Sequence, residues 1–351
     1  MISDFLNTNI KYFTINNIQN LGRKLATAVV ISVILIYPAF PLVCYFSPKT
    51  AQKIIFGNTS LKSTDLSNLK KQGIKGKGRS FYLSDQNGQR FGLYHILPMN
   101  SMVQFGNINE NDKKFEEALK SLRDPIIIYC HGIIGDRARE HRVCMNNNMS
   151  QWNYHVISLD YFGFGDSDGS ASEESCVNSI VLTAEYLNKL IGNNFFVWGH
   201  SFGTCVLLNA LGVLKKKKIV PLGCILESPF NNLYDTMKWD WRYIIYSWIP
   251  MIDNILFDPI VRSGLIANSS KYIENVACPI QIFHSADDLV VPKELCLDLY
   301  QHGKKANRDI DIKFFDEELQ LGHESIHKAS NLAELVAKFE SKCLKKRIMQ
   351  K

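Results

Sequence analysis

Asn194-Phe195-Phe196-Val197-Trp198-Gly199-His200-Ser201-Phe202-Gly203-Thr204 is the stretch that decides how this chain folds. A short apolar run enters Gly199-His200-Ser201-Phe202-Gly203, and a helix-compatible run, Thr204 to Leu214, leaves it. Strand, G-x-S-x-G and helix in that order read as a sharp turn that lifts one serine hydroxyl above the end of a strand. A side chain at either flanking glycine would collide with the packed turn.

Outward from that turn, apolar runs of strand length alternate with helix-length segments. The predicted strands are Pro125 to Cys130, His155 to Asp160, Phe195 to Trp198, Gly223 to Leu226, Pro279 to His284 and Asp311 to Phe315. The predicted helices are Arg139 to Trp152, Glu173 to Ile191, Thr204 to Leu214, Lys293 to His302 and Asn331 to Lys345. Apolar strands without clean alternation, separated by helices, predict an α/β fold with a mostly parallel sheet covered on both faces. Ahead of these, Ser80 to Ser84 and Phe91 to Leu97 flank Asn87-Gly88, a hairpin signal. Between Pro229 and Cys278 the rhythm breaks. This segment, about 229–278, holds three of the five tryptophans, Trp239, Trp241 and Trp248, with Tyr234, Tyr243, Tyr246 and Phe257. It reads as a cap over the carboxyl ends of the strands. Its rings either pack a small helical subdomain or wall an apolar acyl slot.

The 351 residues are 46% apolar and 21% charged with a net charge of +6, the composition of an ordinary folded protein. No interleaved basic and aromatic pattern points to nucleic acid. Lys215 to Lys218 reads as a solvated loop. The nine cysteines are scattered with no C-x-x-C, so no zinc site is implied, and Cys130, Cys205 and Cys224 sit in core-like runs. From Leu25 to Phe46 the chain carries no charge, LATAVVISVILIYPAFPLVCYF, which predicts a membrane anchor kinked at Pro38 and Pro41. Arg23-Lys24 at its edge favours a cytosolic N-terminus. The expected organisation is a tail over 1–24, an anchor over 25–46, a linker over 47–77 and a body over 78–351. Three N-x-S/T acceptors, at Asn58, Asn148 and Asn268, follow the anchor.

A serine hydroxyl needs a base to take its proton, and the base needs a carboxylate to fix its tautomer. The order serine, acid, histidine along the chain is present. Asp288 follows the strand Pro279 to His284 with the spacing Asp288-x-x-Val291-Pro292, with Asp287 and Glu227 as alternative acids. His323 follows the last strand, and His327 is the alternative base. His200 reads as a packing residue. Backbone donors for a developing oxyanion are expected from the N–H of Phe202 and from that of Ile133, in His131-Gly132-Ile133-Ile134-Gly135. This chemistry requires no metal or organic cofactor.

Tyr129-Cys-His-Gly-Ile-Ile-Gly-Asp136, His141-Arg142, Asp160-Tyr-Phe-Gly-Phe-Gly-Asp-Ser167, Trp198-Gly-His-Ser-Phe-Gly-Thr204, Leu226-Glu-Ser-Pro-Phe230, Phe257-Asp-Pro259 and Pro279-Ile-Gln-Ile-Phe-His-Ser-Ala-Asp-Asp288 together resemble one family. It is that of the membrane-anchored lysophosphatidylserine and monoacylglycerol lipases of the α/β-hydrolase-domain group. The likeness runs from about Gly78 to Lys345, with an apolar N-terminal segment in the same place. It implies an α/β-hydrolase fold and a serine lipase of the endoplasmic reticulum membrane with its site on the lumenal side. It also implies a triad of Ser201, Asp288 and His323 acting on a single-chain lipid. Ile133-Ile134 and Phe202 depart from the family pattern, which has a more polar pair and a leucine there. Rival readings are another acyl-transfer enzyme on the same site, such as a thioesterase, peptidase or acyltransferase, and an inert lipid-binding scaffold.

Overall fold

The computed structural model describes residues 18–31, 39, 42–57, 65–102, 112–121, 124–239, 241–244 and 246–349. Eight strands form one sheet: β1 (Gly78–Ser84), β2 (Arg90–Ile96), β3 (Ile126–Cys130), β4 (His155–Leu159), β5 (Phe196–His200), β6 (Cys224–Glu227), β7 (Ile280–Ser285) and β8 (Ile310–Phe315). Their spatial order is β1-β2-β4-β3-β5-β6-β7-β8. The pairs β1–β2 and β2–β4 are antiparallel, and every pair from β4 to β8 is parallel. The chain therefore has the α/β-hydrolase type of sheet that the sequence predicts, with the Asn87-Gly88 turn closing the edge hairpin.

Side chains alternate between two apolar layers. Ile126, Ile128, Cys130, Val197, Leu226 and Ile282 face one layer, while Ile127, Tyr129, Phe196, Trp198, Ile225 and Phe283 face the other. The helices Glu173–Ile191, Phe202–Lys216 and Lys293–Lys305 cover the first, and Glu140–Gln151 and Leu332–Met349 cover the second. Because the central strands are buried on both faces, they read in sequence as unbroken apolar runs. The helix Glu173–Ile191 starts at a reciprocal cap, Ser175 N–H to Ser172 Oγ at 3.0 Å and Ser172 N–H to Ser175 Oγ at 2.9 Å. It stops at Gly192, where φ is 64°.

One reading of the N-terminal part changes. The span 47–77 is not a free linker. Pro48–Phe56 is a helix with Ala51 and Phe56 buried, and Leu66, Leu69 and Ile74 enter the core further on. Its small and apolar residues recur at helical spacing, which a reading for polarity overlooks. The predicted anchor lies partly outside the described residues, at 32–38, 40 and 41. Residues 18–31 are helical with exposed apolar side chains such as Leu21, Leu25 and Val29. Among the described residues no helix is long and apolar enough to cross a membrane. Of the three glycan acceptors, Asn58 is outside the described residues, and the Asn148 amide donates to the His327 carbonyl at 2.7 Å. Asn268 caps a short helix, its Oδ1 accepting from Lys271 N–H at 3.0 Å.

The cap segment folds as four short helices, Leu233–Lys238, Trp241–Ile244, Ile252–Arg262 and Ser269–Tyr272. Tyr234 and Tyr243 lie against Phe257, with ring centroids 4.4 and 5.9 Å away, and both hydroxyls donate to Asp253. These three rings pack the cap itself, whereas Trp239 and Trp248 are exposed. Arg262 fastens the cap to the chain before the body: its Nη2 donates to the Tyr45 carbonyl at 2.6 Å and its guanidinium sits over the Tyr45 ring.

Candidate active site

β5 ends at His200, and Ser201 follows in a backbone conformation that non-glycine residues rarely adopt, φ 53° and ψ −123°. Such strain costs on the order of 1–3 kcal/mol and persists only where the surroundings impose it. Here they do. The Ser201 N–H donates to the Glu227 carbonyl of β6 at 2.9 Å. A Cβ on Gly199 would stand 2.8 Å from the Gly203 carbonyl oxygen, and one on Gly203 only 2.3 Å from that of Cys130. The turn is thus so tight that two glycines are obligatory, and the serine between them is raised at the carboxyl edge of the sheet. The Phe202 N–H is the first of the following helix, so it has no intrahelical acceptor.

The loop after β7 supplies the carboxylate. Asp288 Oδ1 accepts from the N–H groups of Val290 and Val291 at 2.9 and 2.8 Å, and Oδ2 lies 2.7 Å from His323 Nδ1. Burial alone would raise its pKa, but the hydrogen bond and charge of His323 and the Val291 N–H outweigh that and hold it below the ordinary carboxylate value. His323 Nε2 lies 2.8 Å from Ser201 Oγ. A carboxylate can only accept, so Nδ1 carries the proton and Nε2 faces the hydroxyl with its lone pair. His323, 122 residues after Ser201 and 35 after Asp288, thus joins the three in one hydrogen-bonded line.

The alternatives go elsewhere. Asp287 accepts the Gly322 N–H on both carboxylate oxygens, at 3.0 and 3.1 Å, so it holds the loop that carries the histidine rather than the histidine itself. Glu227 accepts from Trp198 Nε1 at 2.8 Å, and complete burial pushes its pKa up to about 8. His327 turns its Nδ1 to the Glu324 carbonyl, 3.1 Å away.

The loop after β3 is held from inside by charge. Arg142, fully buried, donates through Nη2 to the carbonyls of Gly132 at 3.1 Å and Ile134 at 2.5 Å, and through Nη1 to that of Asp136 at 2.6 Å. C=O and N–H point in opposite directions in a trans peptide. Drawing the Gly132 carbonyl to Arg142 therefore turns the Ile133 N–H away from the guanidinium. Gly132 also lies against the turn, since a Cβ there would stand 3.3 Å from Ser201 Cβ. Beneath the loop, Asp160 accepts from His131 Nε2 at 3.0 Å, Arg137 N–H at 2.7 Å and Arg137 Nη1 at 2.5 Å. Burial opposes its ionisation, but the Arg137 charge and these hydrogen bonds keep its pKa below the ordinary value. Arg137, Arg142 and Asp160 carry no role in the sequence reading. Asp160 alone leaves a sign in the sequence, as a charge ending the apolar run Val156 to Leu159, where a buried ion needs a partner. Among the described residues no cluster of three or more His, Cys, Asp or Glu side chains could hold a metal ion.

A nucleophile elbow on this sheet, with a carboxylate and an imidazole lined up behind the serine, defines an α/β-hydrolase. The family model for the α/β-hydrolase fold matches residues 125–239. The chain is 31% identical to lysophosphatidylserine lipase ABHD12 of Rattus norvegicus over 87% of its own length and 78% of the relative's. It is 30% identical to protein ABHD12B of Homo sapiens over 87% and 82%. Among solved structures, the Pyrococcus furiosus esterase Pf2001 matches with a TM-score of 0.55 at 16% identity, over 82% of this chain and 96% of the esterase. The chain belongs to the ABHD12 family and is a serine ester hydrolase.

Proposed function

We propose that this enzyme is a membrane-anchored lipase that hydrolyses the fatty-acyl ester of single-chain lipids, lysophosphatidylserine and other lysophospholipids first and monoacylglycerols second. Ser201 Oγ attacks the ester carbonyl while His323 Nε2 takes its proton. The oxyanion is received by the N–H groups of Ile133 and Phe202, each worth about 10²–10³ in rate. The C–O bond then breaks as His323 returns the proton to the leaving lipid alcohol. Water, deprotonated by the same nitrogen, releases the fatty acid from the acyl-serine. Asp288 holds the imidazole and stabilises its cation throughout.

The observation that carries the reading is the line from Asp288 Oδ2 through His323 to Ser201 Oγ, with spacings of 2.7 and 2.8 Å. The substrate class is supported by the ABHD12 relatives, named for lysophosphatidylserine. The membrane reading is supported by the uncharged run Leu25 to Phe46. We place the body in the endoplasmic reticulum lumen, so protease added to intact microsomes should spare it; digestion without detergent contradicts that placement. The substrate test is fatty-acid release by the full chain in vesicles carrying lysophosphatidylserine, lysophosphatidylcholine or monoacylglycerol. Wild type should release it and Ser201→Ala should lose about 10⁴-fold or more. A wild type inert toward all three lipids but active on an acyl thioester or a peptide would overturn the substrate class.

A further inference from the structure

We infer that His200, the residue preceding the candidate nucleophile, is a positioning residue that sets the place of His323. The inference rests on the proposed triad and adds a member outside the line of proton transfer.

His200 is 2% exposed, and its Nε2 lies 2.9 Å from the backbone carbonyl oxygen of His323. A carbonyl can only accept, so Nε2 must be the protonated nitrogen. Nδ1 is then bare, and it has no hydrogen-bond partner among the described residues. The ring sits between two others, tilted to both, with centroids 5.1 Å from His323 and 5.2 Å from His141. Burial, followed by the charge that His323 can carry, lowers the His200 pKa to about 3. The ring therefore stays neutral, with its single N–H committed to the carbonyl, wherever His323 can work as a base. A buried imidazole with one satisfied nitrogen and one orphaned nitrogen is a poor choice for packing alone, since leaving such a group without a partner has a cost. The one bond it makes is the feature that accounts for a histidine here.

That bond acts on the least constrained part of the site. His323 lies in the 16-residue excursion between the end of β8 at Phe315 and the helix that starts at Leu332. Three successive residues of that loop are gripped. The Gly322 N–H goes to Asp287. The His323 carbonyl goes to His200, and Ser228 Oγ reaches the same oxygen at a marginal 3.5 Å. The Glu324 carboxylate pairs with Arg139 Nη2 at 3.0 Å and approaches His141 Nδ1 at 3.5 Å. Among the described residues the His200 contact is the shorter of the two that reach the backbone carbonyl of His323 itself, and it comes from the residue next to Ser201. The separation of Oγ and Nε2 is thus set by two neighbouring residues on one strand end, not by the reach of a long loop. A misplacement of about 1 Å at such a contact costs roughly 10² in rate.

The test compares three variants of the full chain. Gln places an amide N–H where Nε2 stands. Asn places one where Nδ1 stands, out of reach of the carbonyl. Phe keeps the ring and removes the donor. Expected are a kcat about 10²-fold lower for His200→Phe and His200→Asn with KM within about twofold, and recovery to within about fivefold in His200→Gln. Thermal unfolding of each variant identifies any that fails to fold, and the Gln–Asn pair decides between those that do. Wild-type kcat in His200→Phe, or equal loss in His200→Gln and His200→Asn, overturns the inference. Fluorophosphonate labelling that is lost in Ser201→Ala, run alongside, shows whether the triad reading itself stands.

Discussion

Two aspartate–histidine pairs lie at the carboxyl edge of this sheet, each with one ring nitrogen within hydrogen-bond distance of a buried carboxylate. Asp288 meets His323 at 2.7 Å and Asp160 meets His131 at 3.0 Å. Both carboxylates are buried and both are held below their ordinary pKa. The difference lies on the far side of each ring. His323 turns its second nitrogen to a serine hydroxyl, and its side chain keeps 11% of its surface open. His131 turns its second nitrogen to the Gly132 carbonyl at 2.7 Å, has no exposed surface, and shares Asp160 with Arg137. The same pair faces a hydroxyl proton in one setting and fixes a loop in the other. What decides is whether the second nitrogen meets an exchangeable proton or a fixed oxygen.

The sharpest way to break this comparison is to neutralise both aspartates. Asp288→Asn should lower kcat by about 10⁴-fold, at a cost in stability smaller than that of Asp160→Asn. Asp160→Asn should act the other way, destabilising by about 3 kcal/mol in denaturant melts because the buried Arg137 charge loses the fully buried one of its two carboxylate partners and keeps only Asp166. An Asp160 variant that remains stable yet loses as much kcat as the Asp288 variant would erase the distinction between the pairs.

A third carboxyl sharpens the contrast by lacking any charge partner. Among the described residues Glu227 is paired only with Trp198 Nε1, and its pKa in the fold, about 8, lies above the unfolded value of 4.5. Between these values the folded state binds the proton and the unfolded state does not. Stability should therefore fall as pH rises from about 4.5 to 8, by at most about 1.4 kcal/mol per pH unit. Glu227→Gln keeps an acceptor for Trp198 and should flatten that part of the profile in melts taken across pH. An unchanged slope would count against a neutral Glu227. The two depressed carboxyls carry the opposite sign. Their contribution is complete above the unfolded aspartate pKa and is lost as pH falls through their folded values.

The smallest expected effect belongs to His327. Its ring nitrogen faces a carbonyl rather than Ser201, so His327→Ala should leave kcat within about twofold of wild type. A loss of 10³ would return it to candidacy as the base.

The sheet was legible because buried parallel strands write themselves as apolar runs such as Ile126–Cys130 and Phe196–His200. The elbow was legible because its geometry admits only glycine at positions 199 and 203. Asp288 stood out from Asp287 by its spacing to Val291 and Pro292, whose loop folds back so that two N–H groups reach Oδ1. What stayed hidden was second-layer chemistry. That Asp287 holds Gly322, that Arg142 orients the Gly132–Ile133 peptide, and that His200 reaches the His323 carbonyl are contacts across many residues with no local pattern. The helix Pro48–Phe56 was hidden for a related reason. Its Phe56 ring lies 5.8 Å from that of Phe202 and 6.2 Å from that of Phe164, so the chain just before the body borders the residue expected to donate to the oxyanion. Nothing in that short segment announces a partner some 146 residues away.

The most direct measurement is covalent trapping. A fluorophosphonate should label the full chain at a single residue, and peptide mass spectrometry should place the adduct on Ser201. Labelling should vanish in Ser201→Ala and slow by several orders of magnitude in His323→Ala. An adduct on any other residue, or labelling that survives Ser201→Ala, would contradict the account.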